Sequence, residues 1–391
     1  MFRSEFAGAL AFPVKAQSPA RMCAMRFLST FLVALCFGAF LQARSWKVMK
    51  SGLDTNLRGV SVVHAPNGKG ISEVVWASGS NGVILKSIDE GKTWQGLQVA
   101  GGEALDFRGI VAFNANVAFV MSSGDGEKSR IYKTMDGGKT WNLQYTDKSK
   151  EFFLDTIACR SETHCFALGD PLDGKFLLLS TTDGEHWAPL PTATMPAALP
   201  GEGAFAASNT CLLLHDEEIF FGTGGPAARV FHSPDSGHTW TVAETPIVHG
   251  KASSGVFSIA RRKQNEIVVV GGNYQDPKQA SAAAAYSLDG GKSWQLFEQQ
   301  PGGYRSSVAC HRGAQCVAVG PNGEDVSSGK LTAAFWKPTD ALNLNAVAIM
   351  DVKHGWSVGP KGTIARFIDY TGVHRGTQRH LQHPASPLPD K

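Results

Sequence analysis

SIDEGKTW (87–94) is followed along the chain by TMDGGKTW (134–141), TTDGEHW (181–187), SPDSGHTW (233–240) and SLDGGKSW (287–294). Each reads Ser/Thr-x-Asp-x-Gly-x-Thr/Ser-Trp, and the third copy is one residue short. The tryptophans, Trp94, Trp141, Trp187, Trp240 and Trp294, stand 47, 46, 53 and 54 residues apart. The motif has the chemistry of a tight turn between two strands. Asp89, Asp136, Asp183, Asp235 and Asp289 can accept hydrogen bonds from nearby backbone N–H groups. The following glycine, such as Gly91, supplies a positive φ that a side chain resists. The tryptophan starts the next strand and offers a large apolar face to a neighbouring unit. These aspartates are therefore read as structural, not catalytic.

A period near fifty residues marks a repeat architecture, and the expected one is a β-propeller. A second strand recurs before each motif, in Trp76-Ala-Ser-Gly79, Phe119-Val-Met-Ser122, Phe166-Ala-Leu-Gly169, Phe221-Gly-Thr-Gly224, Val317-Ala-Val-Gly320 and Trp356-Ser-Val-Gly359. A first strand precedes it in LRGVSVV (57–63), FRGIVAF (107–113), LDTIAC (154–159), VFSIA (256–260), YRSSVAC (304–310) and LNAVAIM (344–350). In the fourth unit GAFAAS (203–208) is the best candidate. The count predicts an all-β, seven-bladed propeller, with six or eight blades as the remaining options. The last unit has three strands, and Ser45-Trp46-Lys47-Val48-Met49-Lys50 resembles the strand that follows each motif. Residues 45–50 are expected to complete the last blade and close the ring, hiding sheet edges that an open array would expose.

Residues 26–43 run from a basic start through an apolar stretch to a small residue, the pattern of a secretory signal peptide. The expected organisation is a leader and signal peptide over 1–43, with the signal within residues 22–43, a propeller over 44–369 and a disordered tail over 370–391. The leader carries Arg3, Lys15, Arg21 and Arg26 against Glu5, a net of +3, which is the net charge of the whole chain. The remainder is near neutral, which argues against nucleic acid as a partner. No membrane span, cofactor or metal is expected, and a monomer is. Seven cysteines become five after cleavage. Cys159/Cys165 and Cys310/Cys316 share one spacing at one place in the repeat, where each pair faces across a hairpin. In a periplasmic or secreted protein this predicts two disulfides, with Cys211 left as a buried thiol. Metal ligation by the cysteines is the competing reading, but no His/Cys set completes a four-ligand site.

In a propeller the starts of the innermost strands and the loops between second and third strands open on one face around the channel. The strand starts carry Arg58, Arg108, Asp155, Arg305 and Asn345, with Tyr304 before Arg305. The loops carry Asp170 and Tyr274, among other polar residues, and Glu202 and Asn209 flank the irregular first strand of blade 4. The expected ligand-binding set is Arg58, Arg108, Arg305, Asp155, Asp170 and Tyr274. Arginine forks bind carboxylates bidentately, so a protein segment, a glycan or another anionic ligand fits this face. The bland alternative is that the arginines pair with Asp155 and its neighbours to line the channel.

The eight-residue motif resembles the Asp-box, or BNR repeat. Propellers of that kind include sialidases, other glycoside hydrolases, sortilin-type receptors and the photosystem II stability/assembly factors. Ser87-Ile-Asp-Glu-Gly-Lys-Thr-Trp94 and His354-Gly-Trp-Ser-Val-Gly-Pro-Lys-Gly-Thr-Ile364 are most similar to the blade pattern of the last group. The resemblance covers about residues 45–368. It implies a seven-bladed, non-enzymatic propeller that binds protein partners through an arginine-lined patch, here matched by Arg58, Arg108 and Arg305. A secreted, sialidase-like glycoside hydrolase is the alternative, with Asp155, Glu202 and Tyr304 as its catalytic groups. The Phe/Tyr-Arg-Ile-Pro signature of sialidases is replaced here by Leu57-Arg58-Gly59-Val60.

Overall fold

The computed structural model describes residues 45–49, 51–67, 70–311, 315–351 and 354–368. The expected leader, signal peptide and tail lie outside the described residues. Seven antiparallel sheets follow one another along the chain, as the repeat predicts. Blade 1 holds strands Leu57–Asn67, Gly70–Gly79, Ile84–Ser87 and Gln95–Leu97. Blade 2 starts at Asp106–Ala112 and blade 3 at Leu154–Cys159. Blade 5 starts at Lys251–Arg261 and blade 6 at Ser307–Cys310. Blade 7 holds Ala346–Ile349, Gly355–Val358 and Ile364–Ile368, and its outer strand is Ser45–Met49. Ser45 pairs with Ile368 and Met49 with Ile364, so the two ends of the propeller meet in one sheet.

Blade 4 differs from expectation. Its first strand is Leu212–His215, paired with Glu218–Gly222, and not residues 203–208. The second strand therefore ends at Gly222 and not at Gly224. Gly224 and Gly225 instead add a short fifth strand to blade 5. Residues 190–211 form a long connector, and Gly203 makes only a single bridge to Gly224.

The motif turns behave as their chemistry requires. Asp89 accepts hydrogen bonds from the Thr93 backbone N–H at 2.9 Å, the Thr93 hydroxyl at 2.7 Å and the Ser87 hydroxyl at 2.8 Å. Gly91 has φ +78°, and a Cβ there would lie 2.3 Å from the Trp356 ring. Glycine thus serves both the turn and the close approach of the neighbouring blade 7. The motif tryptophans bridge blades. Trp94 of blade 1 meets Trp356 of blade 7 edge to face at 6.0 Å between ring centres. Trp141 meets Trp76 of blade 1 at 6.3 Å, and Trp187 meets Phe119 of blade 2 at 5.9 Å. In blade 6, which lacks the motif, Trp336 takes over and packs on Phe297 of blade 5 at 5.5 Å.

Both expected disulfides are present, Cys159–Cys165 and Cys310–Cys316, each across the first hairpin of its blade, and Cys211 is a buried free thiol. Two such bonds fit an oxidising, extracytoplasmic compartment. Among the described residues no helix is long and apolar enough to cross a membrane.

Candidate functional site

A bulge recurs where the innermost strand of a blade begins. The register slips between Leu57 and Gly59, between Phe107 and Gly109, between Leu154 and Thr156, and between Val256 and Ser258. The residue left unpaired in each case is Arg58, Arg108, Asp155 or Phe257. A bulge re-aims its extra side chain. All four line one cavity of about 1010 Å³ at the mouth of the channel. Ser306 and Asn345 line it from blades 6 and 7, and Asp170, Tyr274 and Tyr304 are also on its wall.

The connector crosses this space. The Ala206 carbonyl accepts from Arg108 Nη1 of blade 2 at 3.0 Å, and the Ala204 N–H donates to Asp170 Oδ1 of blade 3 at 3.0 Å. Phe205 stacks on Phe257 of blade 5 with ring centres 3.7 Å apart. The Ser208 hydroxyl donates to the Ser306 carbonyl of blade 6 at 2.7 Å. Asn209, with φ +61°, accepts from the Ile157 N–H at 2.8 Å and the Thr156 hydroxyl at 3.0 Å. A segment bonded to blades 2, 3, 5 and 6 at once runs across the central channel. It turns an open pore into a floored funnel.

Two arginines share one side of the funnel. Arg108 is anchored, with Nε donating to Asp106 Oδ2 at 2.7 Å. Arg58 has the Asn56 side-chain oxygen 3.1 Å from its Nε and 3.2 Å from its Nη2 once that amide is turned to satisfy its neighbours. Among the described residues no carboxylate lies within ion-pair distance of Arg58. Burial, and then the nearby Arg108 charge, lower the Arg58 pKa. Excess positive charge in a half-buried site favours an incoming anion. On the adjoining blade 3, Asp155 is 1% exposed, and its Oδ2 has no partner among the described residues. Burial and the neighbouring Asp170 push its pKa well up, against the pull of Arg108. Asp170 is raised as well, chiefly by burial. An aromatic wall faces these charges, with Phe257 edge-on to Tyr304 at 4.7 Å and to Tyr274 at 6.1 Å. Burial also pushes the Tyr304 phenol up.

Two expected residues do not join the group. Arg305 is 1% exposed and bonds Asp325 through Nε at 2.8 Å and through Nη2, while Nη1 donates to the Tyr304 carbonyl. It does not line the cavity. Its backbone N–H bonds the Gly271 carbonyl of the preceding blade, as those of Leu344 and Leu57 bond Gly320 and Gly359. Arg305 therefore occupies the inward position held elsewhere by leucine, and Ser306 is the true counterpart of Asn345. Glu202 borders the cavity, but its side chain is fully buried. Its Oε1 accepts from Arg229 Nε at 2.8 Å and the Thr223 hydroxyl at 2.5 Å, and its Oε2 from the Leu199 N–H at 2.8 Å and Arg229 Nη2. Every acceptor position is engaged in structure, so Glu202 is not a free acid or base. Phe205, Phe257 and Ser306 were missed from the sequence.

No protein-family model matches the chain, and no curated protein is similar to it in sequence. Solved structures do match its fold. The chain is similar in fold to YCF48. A structure of YCF48 bound to D1 peptide has a TM-score of 0.59 at 13% identity, covering 83% of this chain and 97% of that one. YCF48 from Cyanidioschyzon merolae gives 0.58 at 13%, covering 83% and 99%. U3-55K gives 0.57 at 12%, covering 83% and 98%. At such identities the match speaks for the seven-bladed fold alone.

Proposed function

We propose that this chain is a non-catalytic propeller of the assembly-factor type, which holds an anionic segment of a protein partner in the funnel, with Arg58 and Arg108 as its anion site. The observation that carries the reading is Arg58, a half-buried guanidinium on a cavity wall without a carboxylate partner among the described residues. An arginine fork in such a site pairs bidentately with a carboxylate. The YCF48 structure with a D1 peptide shows that a propeller of this fold can take a peptide, which supports the choice of a protein ligand.

The glycoside hydrolase reading has a weaker basis. A tyrosine nucleophile needs a carboxylate base beside it, and Glu202 is held by Arg229 instead. The Asp155–Asp170 pair is what remains in favour of an enzyme. Peptides selected from a random library on the immobilised protein test the choice, alongside a broad panel of chromogenic glycosides and sialosides. The binding reading expects acidic peptides that Arg58→Ala no longer retains, and no sugar turnover. Turnover lost in Asp155→Asn would overturn it.

A further inference from the structure

Most polar side chains on the funnel wall are already committed. Arg108 is bonded to Asp106 and to the Ala206 carbonyl, and Asp170 to the Ala204 N–H. The Ser306 hydroxyl donates to the Asn345 carbonyl at 2.7 Å. Tyr304 is different. It lines the cavity and is 6% exposed. Its hydroxyl has no hydrogen-bond partner among the described residues, and it is not one of the unpartnered polar atoms sealed from solvent. The free surface of that hydroxyl is therefore on the cavity. A buried phenol normally finds a partner for its O–H, and here the cavity is where one can come from. The residue is firmly held. Its N–H donates to the Pro277 carbonyl at 3.0 Å, its carbonyl accepts from Arg305 Nη1 at 2.9 Å, and its ring packs edge-on to Phe257. A Cβ on Gly272, which has φ +129°, would lie 2.9 Å from the Tyr304 Cα, so a glycine there makes room for it.

We propose that the Tyr304 hydroxyl is the second donor of the anion site, bonding the same ligand carboxylate that Arg58 holds. This deepens the function proposed above and rests on it for the role of Arg58. The two groups share the cavity, and the Arg58 charge acts on the phenol, yet no hydrogen bond joins them. A carboxylate between them has two oxygens and about four lone-pair sites. The guanidinium fork takes one side of it and the phenol donates to a remaining lone pair. Burial keeps the phenol protonated, so it enters as a donor. An O–H bond to a charged oxygen is among the stronger kinds, and a donor fixed in advance loses little freedom on binding. Tyr304 is thus a binding residue, which needs no carboxylate base beside it.

The probe is glutamate capped as its N-acetyl, N-methylamide derivative, with capped glutamine as the uncharged control. Each is compared with potassium chloride at equal ionic strength and about pH 7, where the carboxylate is ionised. The rise of Tm with probe concentration gives the dissociation constant. Capped glutamate should raise the wild-type Tm by about 2 °C over the salt control, and capped glutamine should not. Tyr304→Phe keeps the ring and its packing and removes only the unpartnered hydroxyl. Without probe its Tm should be no lower than that of the wild type, and its affinity for capped glutamate should fall about tenfold. Arg58→Ala should lose the shift. Wild-type affinity in Tyr304→Phe, with the shift lost in Arg58→Ala, overturns the Tyr304 contact and leaves the anion site standing. Weakened binding in Tyr304→Phe with wild-type binding in Arg58→Ala overturns the shared carboxylate. No shift in the wild type, or equal shifts from both probes, overturns the contact and the anion site together.

Discussion

Trp46 and Phe367 meet edge to face, 5.8 Å between ring centres, as register partners across the seam that closes the ring. Trp46 belongs to the first described strand and Phe367 to the last. Trp46 is 7% exposed and packs into the cluster of Val317, Val319 and Leu344, so the seam is part of the core. Trp46→Ala should cost about 3–5 kcal/mol, the usual range for a buried tryptophan. Deleting residues 44–52 should cost more and expose the edge of the last blade. Denaturant unfolding checks both, and an unchanged midpoint in the deletion would remove the closure.

Arg305 and Arg58 should behave oppositely. Arg305→Ala leaves Asp325 buried without its charge partner, and should destabilise the fold by about 3–5 kcal/mol. Arg58→Ala removes a guanidinium that has no carboxylate partner among the described residues, and should leave Tm nearly unchanged. Thermal unfolding of the two variants side by side decides this. Equal losses would make Arg58 structural channel lining.

That contrast also shows what the sequence could tell. The period of the motif and the strand patterns gave the blade number, the closing strand and both disulfides, because each depends on local turn chemistry repeated along the chain. The aim of a side chain depends on where each bulge falls. Taking Tyr304-Arg305 as equivalent to Phe107-Arg108 placed Arg305 in the funnel. Alignment on Val308, which corresponds to Val347, would have put Ser306 there. The connector at 190–211 was illegible because it has no period. Its role comes from hydrogen bonds to four blades, and the Leu212-Leu213-Leu214 run after it was the real strand signal in blade 4.

Acid and neutral pH should act on different aspartates. The Thr140 backbone N–H and hydroxyl, with help from Thr134 and Lys139, hold Asp136 down to about 2. Its contribution to stability is complete above the unfolded pKa of about 3.9 and is lost as pH falls through the folded value. Asp155 has the reverse sign. Its folded pKa is raised by burial, so folding takes up a proton and stability falls as pH rises from about 3.9 through the folded value. Asp155→Asn should therefore gain in Tm over the wild type as pH rises from acid to neutral. A constant difference across that range would show that Asp155 does not change its protonation on folding.

The disulfides should be native and stabilising. Mass spectrometry of the unreduced protein should show links 159–165 and 310–316, with Cys211 alkylated only after unfolding. Each closes a small loop and should contribute about 2 kcal/mol. Reduction should lower the unfolding midpoint without changing the number of transitions. Free thiols at all five positions would count against the pairing and the oxidising compartment.

The funnel as an anion-binding site is tested most directly by the affinity of a library-selected acidic peptide for the wild type and for Arg58→Ala, with Tm recorded for both. A desolvated charge pair predicts that the variant binds about ten- to a hundredfold more weakly, with an unchanged Tm. Equal affinity for the two proteins would contradict the account.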